Sequence, residues 1–271
     1  LHWMVNISYP FQTGEITDPW NGALSLPYEL ALKTVDGKLQ LIQNPVEELS
    51  SLRGEEFSLH NVRVSPDTAN PLQDITADKA EITAVIDPGD AQEFGFQLRA
   101  GNGQYTSVTY NAVTNMLTLD RAKAGKSPTD GFPGAYSCRV TPENGVIKLH
   151  MYLDWSSLEL FAQDGREAFT ALIYPDRSSM GMSFYAKGGT AVIQSLQIYE
   201  LDSLYNSPTP SDAPKSISVS GAKSSYEVGE QFTLWAAPEP VNAKGAQATF
   251  TVSDPSVLQV VRQGERSVVL K

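Results

Sequence analysis

Alternation of apolar and polar residues with a period of two runs through almost the whole chain, and it leaves little room for anything but β-structure. In E-F-G-F-Q-L-R (93–99), Phe94, Phe96 and Leu98 fall on one face and Glu93, Gln97 and Arg99 on the other. M-L-T-L-D (116–120) sets Leu117 and Leu119 opposite Thr118 and Asp120. The same reading predicts strands over 23–33, 38–43, 57–64, 80–86, 105–110, 146–154, 157–161, 168–174, 182–186 and 191–201. The turn sequences V-D-G-K, A-G-N-G-Q, P-E-N-G-V, Q-D-G-R and K-G-G-T separate them. Many short strands at such spacing predict an all-β fold, an antiparallel two-sheet β-sandwich of the lectin-like kind. The single helical signal, V-E-E-L-S-S-L (46–52), is at most two turns long.

The pattern breaks once. S-P-T-P-S-D-A-P (207–214) carries three prolines, whose missing N–H excludes them from a sheet ladder, and reads as an extended linker. Strand patterning then resumes. The expected organisation is a large sandwich over 20–203, a linker over 204–214 and a small β-domain over 215–271, with 1–19 belonging to a preceding unit. The 41% apolar content over 271 residues is enough for a core without disulfides, and no apolar run is long enough to span a membrane. A net charge of −11 argues against nucleic acid as a partner. The single cysteine, Cys138, excludes an internal disulfide and a cysteine-based zinc site, and His2, His60 and His150 have no ligand spacing. No metal or cofactor is expected. The opening L-H-W-M-V-N-I-S-Y-P reads as a strand in progress rather than a leader, so the expectation is a cut within a longer protein. Exposed apolar groups at Trp3, Ile7 or Phe11 would mark the lost neighbour.

Two stretches resemble the C-terminal β-sandwich of glycoside hydrolase family 32, the levanases, inulinases and invertases that cleave β-fructosides. In W-N-G-A-L-S-L-P-Y-E-L (20–30), Trp20, Gly22, Ser25, Pro27, Glu29 and Leu30 match the family's W-x-G-x-x-S-x-P-R-E-L, while Tyr28 replaces its arginine. In L-D-W-S-S-L-E-L-F-A-Q-D-G (153–165), Leu153, Asp154, Ser156, Ser157, Glu159, Phe161 and Gly165 match L-D-R-S-S-V-E-V-F-x-x-x-G, while Trp155 replaces its arginine. The resemblance covers roughly residues 1–202. Residues 215–271, with V-S-D-P-S-V-L-Q-V-V, resemble a bacterial immunoglobulin-like domain, a spacer or adhesive module of secreted and cell-surface bacterial proteins.

The resemblance implies a catalytic five-bladed β-propeller ahead of the sandwich as its partner. The propeller would hold the nucleophile in a W-M-N-D-P-N-G type motif, a second aspartate in R-D-P and the acid/base glutamate in E-C. None of these motifs occurs in this chain. T-D-P-W-N-G (17–22) superficially resembles the first, but it overlaps the junction signature at Trp20, so Asp18 reads as linker rather than nucleophile. Asp154 and Glu159 are the best-placed local carboxylates. On one extended strand they would point to opposite faces about 16 Å apart, beyond the roughly 5–5.5 Å of a retaining pair. The chain is therefore expected to be non-catalytic. The polar face of the middle strands would gather Gln97, Arg99, Ser107, Thr109 and Asp120, and Trp155 stands near a strand end. Gln97, Arg99, Asp120 and Trp155 are the candidate contacts to a fructan, by hydrogen bonds to hydroxyls and by ring stacking. The alternatives are a fructan-binding module or a lectin-like surface adhesin.

Overall fold

The computed structural model describes Met4 and residues 22–35, 37–128, 132, 134–202, 216–220, 222–239, 248–263 and 267–271. The expectations placed on Trp3, Ile7, Phe11, Asp18, Trp20 and the linker 204–214 lie outside the described residues. Two compact units emerge, one built on Ala23–Asp202 and one within Ser203–Lys271.

In the first unit, β1 (Tyr28–Val35) and β2 (Lys38–Pro45) form a hairpin, followed by a short 3₁₀ helix, Glu47–Leu52. The predicted strand over 23–33 begins only at Tyr28, beyond Pro27, which cannot donate to a ladder. Two larger antiparallel sheets are built from β3 (Arg53–Val64), β4 (Ala80–Asp87), β5 (Glu93–Gly101), β6 (Gln104–Asn111), β7 (Met116–Asp120), β8 (Ala135–Arg139), β9 (Ile147–Leu153), β10 (Ser157–Ala162), β11 (Glu167–Leu172), β12 (Gly181–Lys187) and β13 (Ala191–Leu201). Their orders are β11-β10-β9-β4-β13-β3 and β12-β5-β6-β7-β8.

The alternation read from sequence decides which side chains enter the core. Ile82, Ala84 and Ile86 of β4, Leu149 and Met151 of β9, and Leu196 and Ile198 of β13 are buried from the six-stranded sheet. Phe94, Phe96 and Leu98 of β5, Val108 and Tyr110 of β6, and Leu117 and Leu119 of β7 are buried from the five-stranded one. All belong to one apolar cluster, the core of a sandwich. Phe96 packs edge-on against Phe184 at 4.9 Å between ring centres, which adds directional contacts to area burial.

The second unit is a four-stranded antiparallel sheet in the order β14-β15-β17-β16, from β14 (Ser216–Ser220), β15 (Phe232–Glu239), β16 (Val260–Gln263) and β17 (Ser267–Leu270). Tyr226 and Phe232 stack within it at 3.9 Å between ring centres. Among the described residues no helix is long and apolar enough to cross a membrane.

Candidate functional site

Because side chains alternate across a strand, the residues between the core positions of β4, β9, β10 and β13 line the outer face of the six-stranded sheet. The registers set Glu159, Tyr152, Glu81 and Tyr199 in one row across it, and Phe161, His150, Thr83 and Gln197 in the next. Val85 lies between Lys148 and Ser195 in a third.

The first row holds a buried charge. Glu81 is fully buried, and Arg53 grips its carboxylate with two N–H groups at 2.6 and 2.7 Å. His150 Nε2 lies 2.7 Å from Oε1 of the same group. Burial alone would raise the Glu81 pKa, but the hydrogen bonds from Arg53 and His150 outweigh it and lower it to about 2. At the other end of the row, Glu159 is buried and accepts the Leu26 N–H at 2.8 Å and the Tyr28 hydroxyl. Burial first, then the Glu159 carboxylate, pushes the Tyr28 phenol up to about 12, so it stays a donor. The Tyr28 ring meets Phe161 edge-on at 5.1 Å. These contacts dock the start of β1 on the sheet.

Gly165 closes the other side. Its φ is +84°, and a Cβ there would lie 2.4 Å from both Asn44 Oδ1 and the Gln43 carbonyl oxygen. Only glycine allows β2 this close, and the Gln43 N–H donates to the Gly165 carbonyl at 2.8 Å. Between this contact and the second and third rows lies a cavity of about 350 Å³. Asn44, Thr83, Lys148, His150, Ser195 and Gln197 line it, together with the apolar Val85, Leu149 and Phe161.

The hairpin's other face is apolar and uncovered. Leu32 pairs with Leu41 and Thr34 with Leu39, so Leu30, Leu32, Leu39 and Leu41 share one face. They are 62%, 66%, 70% and 48% exposed, whereas Ile42 on the opposite face is 2% exposed.

The predicted sugar contacts separate. Gln97, Ser107 and Asp120 do fall in one row, on the outer face of the five-stranded sheet. There Gln97 accepts from the Ser183 hydroxyl at 3.3 Å, and Asp120 caps the Ala122 N–H at 2.8 Å. Arg99 does not join them. The register shifts between Leu98 and Gly101, and Arg99 takes a φ of +52°, so a bulge turns its side chain away. It is 1% exposed and donates to the carbonyls of Ser179, Asp78 and Asp176 at 2.7, 3.1 and 3.3 Å. That removes Arg99 from any exposed sugar face. Trp155 stands apart, 45% exposed, with its indole N–H on the Asp78 carboxylate and the Arg177 guanidinium 4.2 Å from its ring centre.

The extended-strand spacing expected for Asp154 and Glu159 also fails. β9 ends at Leu153 and β10 begins at Ser157, so a turn lies between the two residues. The turn is closed by the Asp154 N–H donating to the Ser157 carbonyl at 2.9 Å. Asp154 caps the Trp155 N–H at 2.7 Å; although the residue is exposed, partial desolvation of its carboxyl, with Asp78 nearby, raises its pKa. Glu159 is held on the outer face by Tyr28 and Leu26, as described above.

The sequence profile of the Glycosyl hydrolases family 32 C terminal domain matches residues 48–200. The chain belongs to glycoside hydrolase family 32. It is 38% identical over 209 residues to a levanase of Bacillus sp. (strain L7), covering 76% of this chain and 22% of that protein. It is 37% identical over 212 residues to a levanase of Bacillus subtilis, covering 76% of this chain and 31% of that protein. Among solved structures, an exo-inulinase from Aspergillus awamori superposes with a TM-score of 0.64 at 27% identity, over 74% of this chain and 40% of that one. The chain thus spans well under half of these relatives.

Within family 32, the two departures from the family pattern share a logic. Tyr28 and Trp155 each stand where the pattern has arginine, and each still aims one donor at a carboxylate, Glu159 and Asp78. The residues missed from sequence are Arg53, Glu81, Thr83, His150 and Gln197. A-E-I-T-A-V-I already puts Glu81 and Thr83 on one face, but no motif in the chain marks a neighbour that covers them.

Proposed function

We propose that this chain is the non-catalytic C-terminal region of a secreted bacterial fructan β-fructosidase of the levanase type, its sandwich bracing a catalytic β-propeller that precedes it. The observation that carries the reading is the leucine face of the β1–β2 hairpin. Contiguous exposed leucines on a rigidly docked hairpin are the mark of an interface, because water is a poor neighbour for them. The hairpin is fixed from below by the Tyr28–Glu159 and Gly165 contacts, so it presents that face as a formed surface. Two relatives named levanase are several times the length of the matched segment, which supplies the rest of such an enzyme as the occupant. A relative named as an extracellular exo-inulinase, from Aspergillus awamori, supports a place outside the cell. In this reading residues 20–203 are the brace, 204–214 the linker and 215–271 an immunoglobulin-like spacer.

The test is made in the full-length enzyme. Leu30→Ser, Leu32→Ser and Leu41→Ser together should lower the melting temperature of the catalytic domain and speed its heat inactivation on levan, with the sandwich itself still folded. Unchanged heat inactivation of levan hydrolysis would overturn the bracing role.

A further inference from the structure

Two of the turn sequences, P-E-N-G-V and A-G-N-G-Q, carry Asn-Gly within the described residues, and the fold secures them very differently. In both, asparagine and glycine take a positive φ: +51° and +82° at Asn144 and Gly145, +51° and +77° at Asn102 and Gly103. That is the backbone of a two-residue hairpin turn. Both tips are exposed, and a Cβ on either glycine would meet nothing within 4 Å.

The Asn102 turn is pinned. It joins Gly101 of β5 to Gln104 of β6, and Asn102 Nδ2 donates to the Ser178 hydroxyl at 3.1 Å. At its base Gln104 exchanges hydrogen bonds of 3.0 and 2.9 Å with Asp176, and the Ser179 hydroxyl donates to the Gly101 carbonyl at 3.2 Å. The Asn144 turn lies outside the strands. Glu143 and Val146 form an isolated bridge with bonds of 3.0 and 3.1 Å, and β9 begins only at Ile147. The Asn144 side chain and the Gly145 N–H have no hydrogen-bond partner among the described residues. So short a bridge at an exposed tip opens at low cost. Arg166 pairs with the Glu143 carboxylate at 2.8 Å, so the negative charge beside the tip, which would oppose loss of the Gly145 proton, is offset.

We propose that Asn144 is a site of spontaneous covalent modification, where the side-chain amide is lost through a cyclic imide. The Gly145 nitrogen, unshielded by any Cβ of its own residue, bonds to Asn144 Cγ. The Cγ–Nδ2 bond breaks, and Nδ2 leaves as ammonia with the proton that Gly145 gives up. Water then opens the five-membered ring. Attack at Cγ yields aspartate, and attack at the Asn144 main-chain carbonyl yields isoaspartate. The balance is one water consumed and one ammonia released, with no oxidant or reductant. Isoaspartate adds one atom to the main chain of a two-residue turn that has no slack for it, so the bridge between Glu143 and Val146 is lost. The bracing role uses neither residue, so this inference stands apart from it.

The experiment incubates the 271-residue chain at mildly alkaline pH and body temperature, folded and in parallel unfolded in urea. Trypsin then releases peptides 140–148 and 100–121, whose amide loss is followed by mass spectrometry. In the folded chain Asn144 should be modified about fivefold faster than Asn102, the ratio that one tethering hydrogen bond of typical net strength supplies. In urea the two rates should converge. Ser178→Ala, which releases the Asn102 amide, should raise the Asn102 rate in a chain whose thermal unfolding is unchanged. Chains carrying isoaspartate, separated by chromatography, should exchange the Val146 amide proton faster than fresh chain. A folded-state ratio near one, or a ratio that persists in urea, overturns the proposal. An Asn102 rate unmoved by Ser178→Ala overturns the tether as its cause, and unchanged Val146 exchange overturns the loss of the bridge.

Discussion

Glu81 is a charge that the sandwich holds without any contact with water. A fully buried carboxylate is tolerable only because Arg53 clasps it from one side and His150 from another. Its pKa falls from the ordinary 4.5 to about 2, so the native state holds it ionised where the unfolded chain would take up a proton. The sign follows directly: the stabilisation is complete above about pH 4.5 and drains away as the pH falls towards 2, about 3 kcal/mol across the interval. Urea unfolding at pH 7 and at pH 3 should show about 2 kcal/mol of that loss, the rest coming below pH 3, and Glu81→Gln should be less stable at pH 7 yet much less sensitive to acid. An equally steep acid dependence in Glu81→Gln would remove the assignment. The sequence makes the face of this residue legible but not its burial. Alternation puts Glu81 opposite Ile82; that Arg53 and His150 converge on it depends on pairings of β3, β4 and β9 that no local pattern encodes. Arg99 is the converse case. Its alternation is just as regular, and a bulge overrides it.

At the scale of elements, the tie between β2 and the β10–β11 turn decides whether hairpin and cavity exist at all. Gly165 combines a left-handed backbone with a close approach to Asn44 and Gln43, so Gly165→Ala meets both a strained φ and a clash. The expected loss is at least about 2 kcal/mol in chemical denaturation, with protease cleavage appearing first within 28–45. A stability change below about 0.5 kcal/mol would show that the hairpin adjusts freely. Gly165 was visible in sequence as part of a family pattern, yet the pattern gave no reason for it; the reason is the close approach of Gln43 and Asn44, far earlier in the chain. The strands most clearly legible were those with a buried face, such as β5 and β7. β8 was missed, because A-Y-S-C-R forms an edge strand with most of its residues exposed and so carries no alternation. The break between β9 and β10 was legible from where the predicted strands stop at 154 and resume at 157, although D-W-S contains neither glycine nor proline.

At the scale of the molecule, the strongest expectation is a negative one: this chain alone should not hydrolyse sucrose, levan or inulin. Retaining glycoside hydrolysis needs two carboxyls facing each other across the bond, one protonated and one ionised. Glu159 is unavailable, because the Leu26 amide and the Tyr28 hydroxyl occupy its two oxygens beneath the hairpin. Glu81 is fully buried and locked ionised by Arg53 and His150. Asp154, whose pKa is raised, is the nearest thing to a general acid, and Asp78 is its carboxylate neighbour. However, Asp154 caps the Trp155 amide, and Asp78 is hydrogen-bonded by the Trp155 indole, whose ring is overlaid by Arg177. Both carboxyls are thus already engaged by one tryptophan. The nucleophile and acid/base motifs of family 32 are absent from the sequence, and loss of general acid–base assistance alone costs roughly 10²–10⁴-fold. Reducing-sugar release should therefore stay at the buffer rate for the purified chain on each substrate, and Asp154→Asn and Asp78→Asn should change nothing. Release well above that rate, abolished by either substitution, would make the Asp78–Asp154 pair a catalytic centre and the sandwich an enzyme in its own right.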